Sequence, residues 1–203
     1  MAVKVKICGV RTVDDARAAV DSGADFVGLN FHPPSPRHVD EETAAAIAAA
    51  IPGAHLVGVF VDAPRAEMER LARRLGLWAL QLHGDEQPAG CRGFGVRTIK
   101  ALRVRSGDDP AALAAAYDTD YLLLDSFVAG RPGGTGVALD PERARGLATE
   151  RLFVAGGLRP ETVAAAVRLL RPFAVDVASG VESAPGIKDH GKIEDFIRRA
   201  KAA

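Results

Sequence analysis

The sequence has no surplus of either charge: Lys and Arg together number 26, and so do Asp and Glu. A net charge near zero gives no basic footprint for a phosphate backbone, and no block of like charges marks an interaction tail, so nucleic acid is not an expected partner. Cysteine is scarce. Cys8 and Cys91 lie far apart and neither has a paired metal-ligand spacing, so both are expected as free thiols in a reduced, cytoplasmic setting. No stretch approaches the roughly 18 uninterrupted apolar residues of a membrane span. The nearest, the Ala-rich segment from Thr43 to Ile51, reads as an ordinary helix. The opening Met1-Ala2-Val3-Lys4-Val5-Lys6 is too short and too charged for a signal sequence. The five histidines fall in no ligand motif, which argues against a metal centre. The serines lack a nucleophile-elbow context, so a hydrolase triad has little support.

What is present is alternation. Short, mostly apolar runs recur, each followed by an Ala-, Leu- or Arg-rich helical segment. The strand-like runs are Val3–Gly9, Phe26–Phe31, Leu56–Val61, Ala79–His83, Arg97–Val104, Tyr121–Asp125, Leu152–Ala155 and Ala174–Ser179. Helices are predicted at about 12–22, 40–51, 64–75, 110–117, 141–148, 160–170 and 192–202, with Thr12 as an N-cap and Gly23 at a C-terminal cap. Pro64, Pro110, Pro141 and Pro160 stand where helices begin, the place where a missing N–H matters least. The fourth unit is weak, because Pro88, Gly90, Gly93 and Gly95 leave room for one or two turns. Eight β-then-α units at roughly 25 residues each have the rhythm of a closed barrel. The predicted fold is therefore a single-domain (β/α)8 TIM barrel with eight parallel strands. An open doubly wound sheet is the rival, but Cys8-Gly9-Val10-Arg11 after the first strand is not a dinucleotide-binding fingerprint.

In such a barrel the ends of strands and the loops after them form the active site. Those ends are polar here: Cys8, Asn30, His83, Asp125, Asp176 and Ser179. Gly156-Gly157 and Ser179-Gly180 follow strands seven and eight, where backbone N–H groups can approach an anion, so a phosphorylated small molecule is the expected ligand. Cys8 is either inert packing or a base or nucleophile, with Lys6 on the same strand face and Arg37 as sources of positive charge. Asp125, after three leucines, is either desolvated or paired with a cation; a desolvated carboxyl suits a general acid. The glycine-rich loop of residues 130–136 is either a lid or a long surface loop. Arg37, after the stiff Pro33-Pro34-Ser35-Pro36, is either a surface charge or a side chain aimed at a carboxylate.

Several segments together resemble the phosphoribosylanthranilate isomerases. They are Lys6-Ile7-Cys8-Gly9, Ser35-Pro36-Arg37, Gln81-Leu82-His83-Gly84, Leu123-Leu124-Asp125, Gly133-Gly134-Thr135-Gly136, Gly156-Gly157-Leu158, Asp176 to Glu182, and Pro185-Gly186-Ile187-Lys188-Asp189. The resemblance spans the whole chain. It implies an Amadori rearrangement of N-(5-phosphoribosyl)anthranilate to an aminodeoxyribulose phosphate in tryptophan biosynthesis, with no cofactor. It further implies Asp125 as general acid at the ribose ring oxygen and Cys8 as general base at C2′. Arg37 would pair with the anthranilate carboxylate, Asp176 and His83 would contact substrate, and Gly156, Gly157, Ser179 and Gly180 would hold the phosphate. The expected assembly is a monomer or homodimer. A related barrel of histidine synthesis usually has an aspartate where Cys8 stands and carries two phosphate sites. A non-catalytic phosphometabolite sensor would not need Cys8 and Asp125 together. Ala178, Asn30 and Val137-Ala138-Leu139 depart from the family's usual residues.

Overall fold

Period-two alternation of inward and outward side chains, repeated eight times, produces one closed sheet. The computed structural model describes residues 2–104, 108–125, 144 and 147–203. The strands are β1 (Lys4–Cys8), β2 (Phe26–Asn30), β3 (His55–Phe60), β4 (Ala79–Leu82), β5 (Arg97–Leu102), β6 (Tyr121–Asp125), β7 (Leu152–Ala155) and β8 (Ala174–Val177). All pair in parallel with their chain neighbours, and β8 closes onto β1 through Lys4↔Ala174 and Lys6↔Asp176. The predicted barrel is therefore the observed one.

Two apolar layers follow from the alternation. Outward residues such as Val5, Ile7, Leu80, Leu122 and Val175 pack with the helices in one cluster. Inward residues, among them Phe26, Val57, Ile99, Leu123 and Phe153, form a second cluster inside the barrel. The interior is filled by side chains rather than open, as an eight-stranded barrel requires. Toward the C-terminal ends of the strands the inward set turns polar, with Lys6, Gln81 and Asp176 buried there.

The helices are α1 (Val13–Asp21), α2 (Glu41–Ala50), α3 (Arg65–Leu75), α4 (Pro110–Ala115), α5 (Pro160–Leu170) and α6 (His190–Lys201). Thr12 caps α1 by accepting from the Asp15 N–H, and Asp40, Asp109 and Asp189 do the same for α2, α4 and α6. Each such cap contributes about 1 kcal/mol. None of these helices is long and apolar enough to cross a membrane. The glycine loop at 130–136, and all but three residues of the helix predicted over 141–148, lie outside the described residues.

Several boundaries differ from the prediction. Pro64 is the N-cap of α3 rather than its first residue. β8 stops at Val177, because Ala178 leaves the extended region at φ −121°, ψ −78°. β5 ends at Leu102 and α4 at Ala115, both shorter than their apolar runs. The last helix starts two residues earlier than predicted, at His190, because Asp189 supplies the cap. A small antiparallel hairpin, β9 (Glu182–Ala184) and β10 (Ile187–Lys188), was not predicted.

The fourth unit has a single 3-10 turn, Pro88–Cys91, in place of a helix. An ion pair stabilises this segment. Lys100, on the outward face of β5, reaches Glu86 Oε2 at 2.6 Å and the Gly84 carbonyl at 2.8 Å, with its side chain 3% exposed. Glu86 also accepts from the Gly84 and Asp62 N–H groups, tying the loops after β3 and β4 together.

Candidate active site

In a parallel barrel the last residue of every strand lies at one rim. Cys8 ends β1 and Asp125 ends β6, so both stand at the C-terminal rim. They are three strand steps apart through β8 and β7, far enough for a small molecule to lie between them.

On the β1 side, Cys8 is 9% exposed and Lys6 is fully buried. Both lean over Gly28 of β2: a Cβ there would fall 2.9 Å from Cys8 Sγ and 3.2 Å from Lys6 Cε. Glycine is what gives the thiol its place. Lys6 Nζ donates to Asp176 Oδ1 at 3.0 Å. Burial works against the Lys6 charge, yet Asp176 and Cys8 outweigh it and its pKa is raised. Burial pushes the Cys8 thiol up; Lys6 pulls it down, Asp176 raises it and Lys188 lowers it, with a net rise. The resting group is therefore mostly thiol, and the surrounding cations govern its thiolate fraction.

On the opposite side, Asp125 faces His83, with Nε2 to Oδ2 at 3.5 Å and side chains 24% and 22% exposed. The carboxyl is half-buried beside an imidazole rather than sealed among leucines. The other ring nitrogen of His83, Nδ1, lies 2.7 Å from Gln81 Nε2. With the amide nitrogen donating, Nδ1 is the acceptor.

The two glycine loops lie between these groups, after β7 and β8. Gly156 and Gly157 have φ of 90° and 71°, a left-handed conformation that side-chain-bearing residues rarely adopt. A Cβ on Gly157 would meet no atom within 4 Å. Gly180 is constrained differently: a Cβ there would lie 1.9 Å from the Leu158 carbonyl oxygen. Its small size lets the loop after β8 pack against the loop after β7. Ser179 and Gly180 belong to a 3-10 turn, Ser179–Val181. Among the described residues no cluster of His, Cys, Asp or Glu is arranged to hold a metal ion.

The family model for N-(5'phosphoribosyl)anthranilate (PRA) isomerase matches residues 5–199. The chain belongs to that family. A curated relative from Myxococcus xanthus, named N-(5'-phosphoribosyl)anthranilate isomerase, is 50% identical, with 100% of this chain and 98% of the relative covered. The crystal structure of phosphoribosyl anthranilate isomerase from Thermotoga maritima superposes with a TM-score of 0.89 at 39% identity, covering 99% of this chain and 100% of that one. A second solved isomerase, in complex with reduced 1-(o-carboxyphenylamino)-1-deoxyribulose 5-phosphate, gives a TM-score of 0.86 at 38% identity, covering 99% and 100%.

Arg37 brings into this isomerase rim two residues that sequence reasoning left without a role. It is neither a free surface charge nor aimed at an empty space. Its Nε and Nη2 donate to Glu182 Oε1 and Oε2 at 2.8 and 2.7 Å, and its stem covers Gly9. Glu182 also binds Lys188 Nζ at 3.0 Å, and Lys188 reaches the Ala178 carbonyl at 3.0 Å. The sequence signal for this arrangement was the Pro185-Gly186 turn between Ser183 and Lys188, which marks a hairpin. What it could not give is the docking of that turn: a Cβ on Gly186 would lie 2.5 Å from the Pro36 carbonyl oxygen.

Proposed function

We propose that the chain, as one catalytic unit, converts N-(5'-phosphoribosyl)anthranilate to 1-(o-carboxyphenylamino)-1-deoxyribulose 5-phosphate at this rim. The transformation is an Amadori rearrangement, a step of tryptophan biosynthesis. Ring opening needs a proton at the ribose ring oxygen, and Asp125 is the general acid that delivers it. The opened iminium acidifies C2′–H, and Cys8, as thiolate, removes that proton to give an enolamine that tautomerises to the ketone. The two steps act on different atoms of one substrate, which requires an acid and a base on opposite sides of it.

His83 supports the carboxyl side, and Asp176 presents its oxygens near Cys8 for substrate hydroxyls. Backbone N–H groups of Gly156, Gly157, Ser179 and Gly180 hold the phosphate, in the loops where barrels bind it. Arg37, braced by Glu182, turns its remaining donors toward the anthranilate carboxylate. The observation that carries this reading is the closed parallel ladder, which places the last residues of β1 and β6 at the same rim.

The test is turnover of phosphoribosylanthranilate by the purified chain, followed by loss of anthranilate fluorescence. Cys8→Ser and Asp125→Asn are each expected to lower kcat by about 10²–10⁴-fold. Binding of the reduced product analogue should stay within a few-fold of wild type. Equal loss of turnover and analogue binding in both variants would assign the two residues a structural role only.

A further inference from the structure

We propose that Lys188 is a positioning residue for the reaction: held by the β9–β10 hairpin, it presents a buried ammonium to Cys8 and favours its thiolate. The inference rests on Cys8 being the base.

Register provides the first argument. Ile7 pairs with Val177 in the last register step of the β1–β8 seam, so Cys8 and Ala178 are the residues that directly follow that pair at the rim. The Ala178 carbonyl is one of the two oxygens that hold Lys188 Nζ, at 3.0 Å. The ammonium is thereby anchored at the rim end of the β1–β8 seam, the end at which β1 finishes in Cys8. Glu182 Oε1 fixes it from the other side at 3.0 Å, and its side chain is 0% exposed.

A lysine is seldom placed in such surroundings for packing alone, because burying its charge is costly unless that charge is used or paired. Glu182 pairs it only in part, since the same carboxylate is engaged by Arg37 through both oxygens. The charged groups that act on Cys8 are Lys6 from β1, Asp176 from β8, Arg37 from the loop after β2 and Lys188 from the hairpin, the last two held by Glu182. Lys6 is matched by Asp176. Two cations then share Glu182, leaving one positive charge in excess around the thiol. Burial holds the pKa of Lys188 below its ordinary value and Arg37 lowers it further, while Glu182 and Cys8 offset part of that fall.

A second lysine of the same region provides the control. Lys192, an exposed residue of α6, donates to the Glu182 carbonyl at 2.8 Å and so braces the same hairpin from the solvent side.

The experiment titrates the Cys8 thiolate by its ultraviolet absorbance in a Cys91→Ser background, without substrate. Lys188→Met and Lys188→Gln are expected to move the thiol midpoint up by about one unit, an approximately tenfold loss of thiolate near neutral pH. Lys188→Arg should restore most of it. Lys192→Met should leave the midpoint in place. The acid limb of kcat/KM should shift in parallel with the thiol midpoint in each variant. An unmoved midpoint in folded Lys188→Gln would overturn the proposal, and so would an equal shift in Lys192→Met, which would mean that hairpin distortion rather than charge acts on the thiol. If the midpoints move as expected while wild-type protein fails to turn over phosphoribosylanthranilate, the coupling stands and the assigned reaction falls.

Discussion

Lys6 and Asp176 are joined twice. They are register partners between β1 and β8, and their side chains form an ion pair at 3.0 Å with exposures of 0% and 8%. The pair therefore sits on the seam that closes the barrel. Asp176→Asn leaves an ammonium buried without its counter-charge and is expected to cost about 3–5 kcal/mol, read as a lower midpoint in urea unfolding. Lys6→Met combined with Asp176→Leu should recover most of that loss. A single-variant cost below about 1 kcal/mol would mean that water reaches the pair.

The ion pairs make stability depend on pH in opposite directions at the two extremes. Glu86 has a lowered pKa: burial works to raise it, but Lys100 and the backbone N–H groups of Asp62 and Gly84 outweigh burial. A depressed carboxylate stabilises fully above its unfolded value of about 4.3, and that contribution disappears as pH falls through the folded pKa. Lys6 is raised, so its contribution is intact below about 10.4 and is lost as pH climbs through the folded value. Unfolding free energy should be flat at neutral pH and fall at both ends. Glu86→Gln should lower the plateau and flatten the acid slope; an unchanged acid slope would remove Glu86 as a source of acid sensitivity.

Gly28→Ala tests whether room for the thiol is built into β2. The added methyl would lie 2.9 Å from Cys8 Sγ and 3.0 Å from Cys8 Cα, so the thiol has to shift by a few tenths of an ångström. A displaced base is expected to lower kcat by about tenfold or more, while KM changes little. Loss confined to KM would indicate that the methyl blocks substrate instead.

Gly180 and Gly157 should respond differently to alanine. At Gly180 the methyl would strike the Leu158 carbonyl at 1.9 Å, which forces the loops after β7 and β8 apart. Affinity for the phosphorylated product analogue should fall by about tenfold or more, along with thermal stability. At Gly157 the cost is the left-handed backbone, about 1–2 kcal/mol, with no clash. Equal effects at both positions would contradict the packing described here. Differential scanning fluorimetry and analogue titration separate the two cases.

Much of the architecture was legible because it is written in local patterns. The eight apolar runs, the Thr12 cap and the proline at the start of α5 each act within a few residues. β6, β7 and α5 have the boundaries read from their sequence. Elements were misjudged where long-range contacts decide: β8 stops where Ala178 turns. The hairpin depends on contacts with Pro36 and Arg37, about 145 residues away in the chain. The fourth unit, read as having room for one or two turns, holds the single turn Pro88–Cys91; the buried Lys100–Glu86 pair beside it was not foreseen.

By itself the sequence determined the barrel and its strand order, because periodicity and caps are properties of short segments. The tertiary structure alone decided which charges meet: Lys6 with Asp176, Arg37 and Lys188 on one glutamate, and His83 against Asp125. Electrostatic partners are chosen by distance in space. The closed ladder sets that distance between residues up to 170 positions apart, and no local pattern in the chain encodes it.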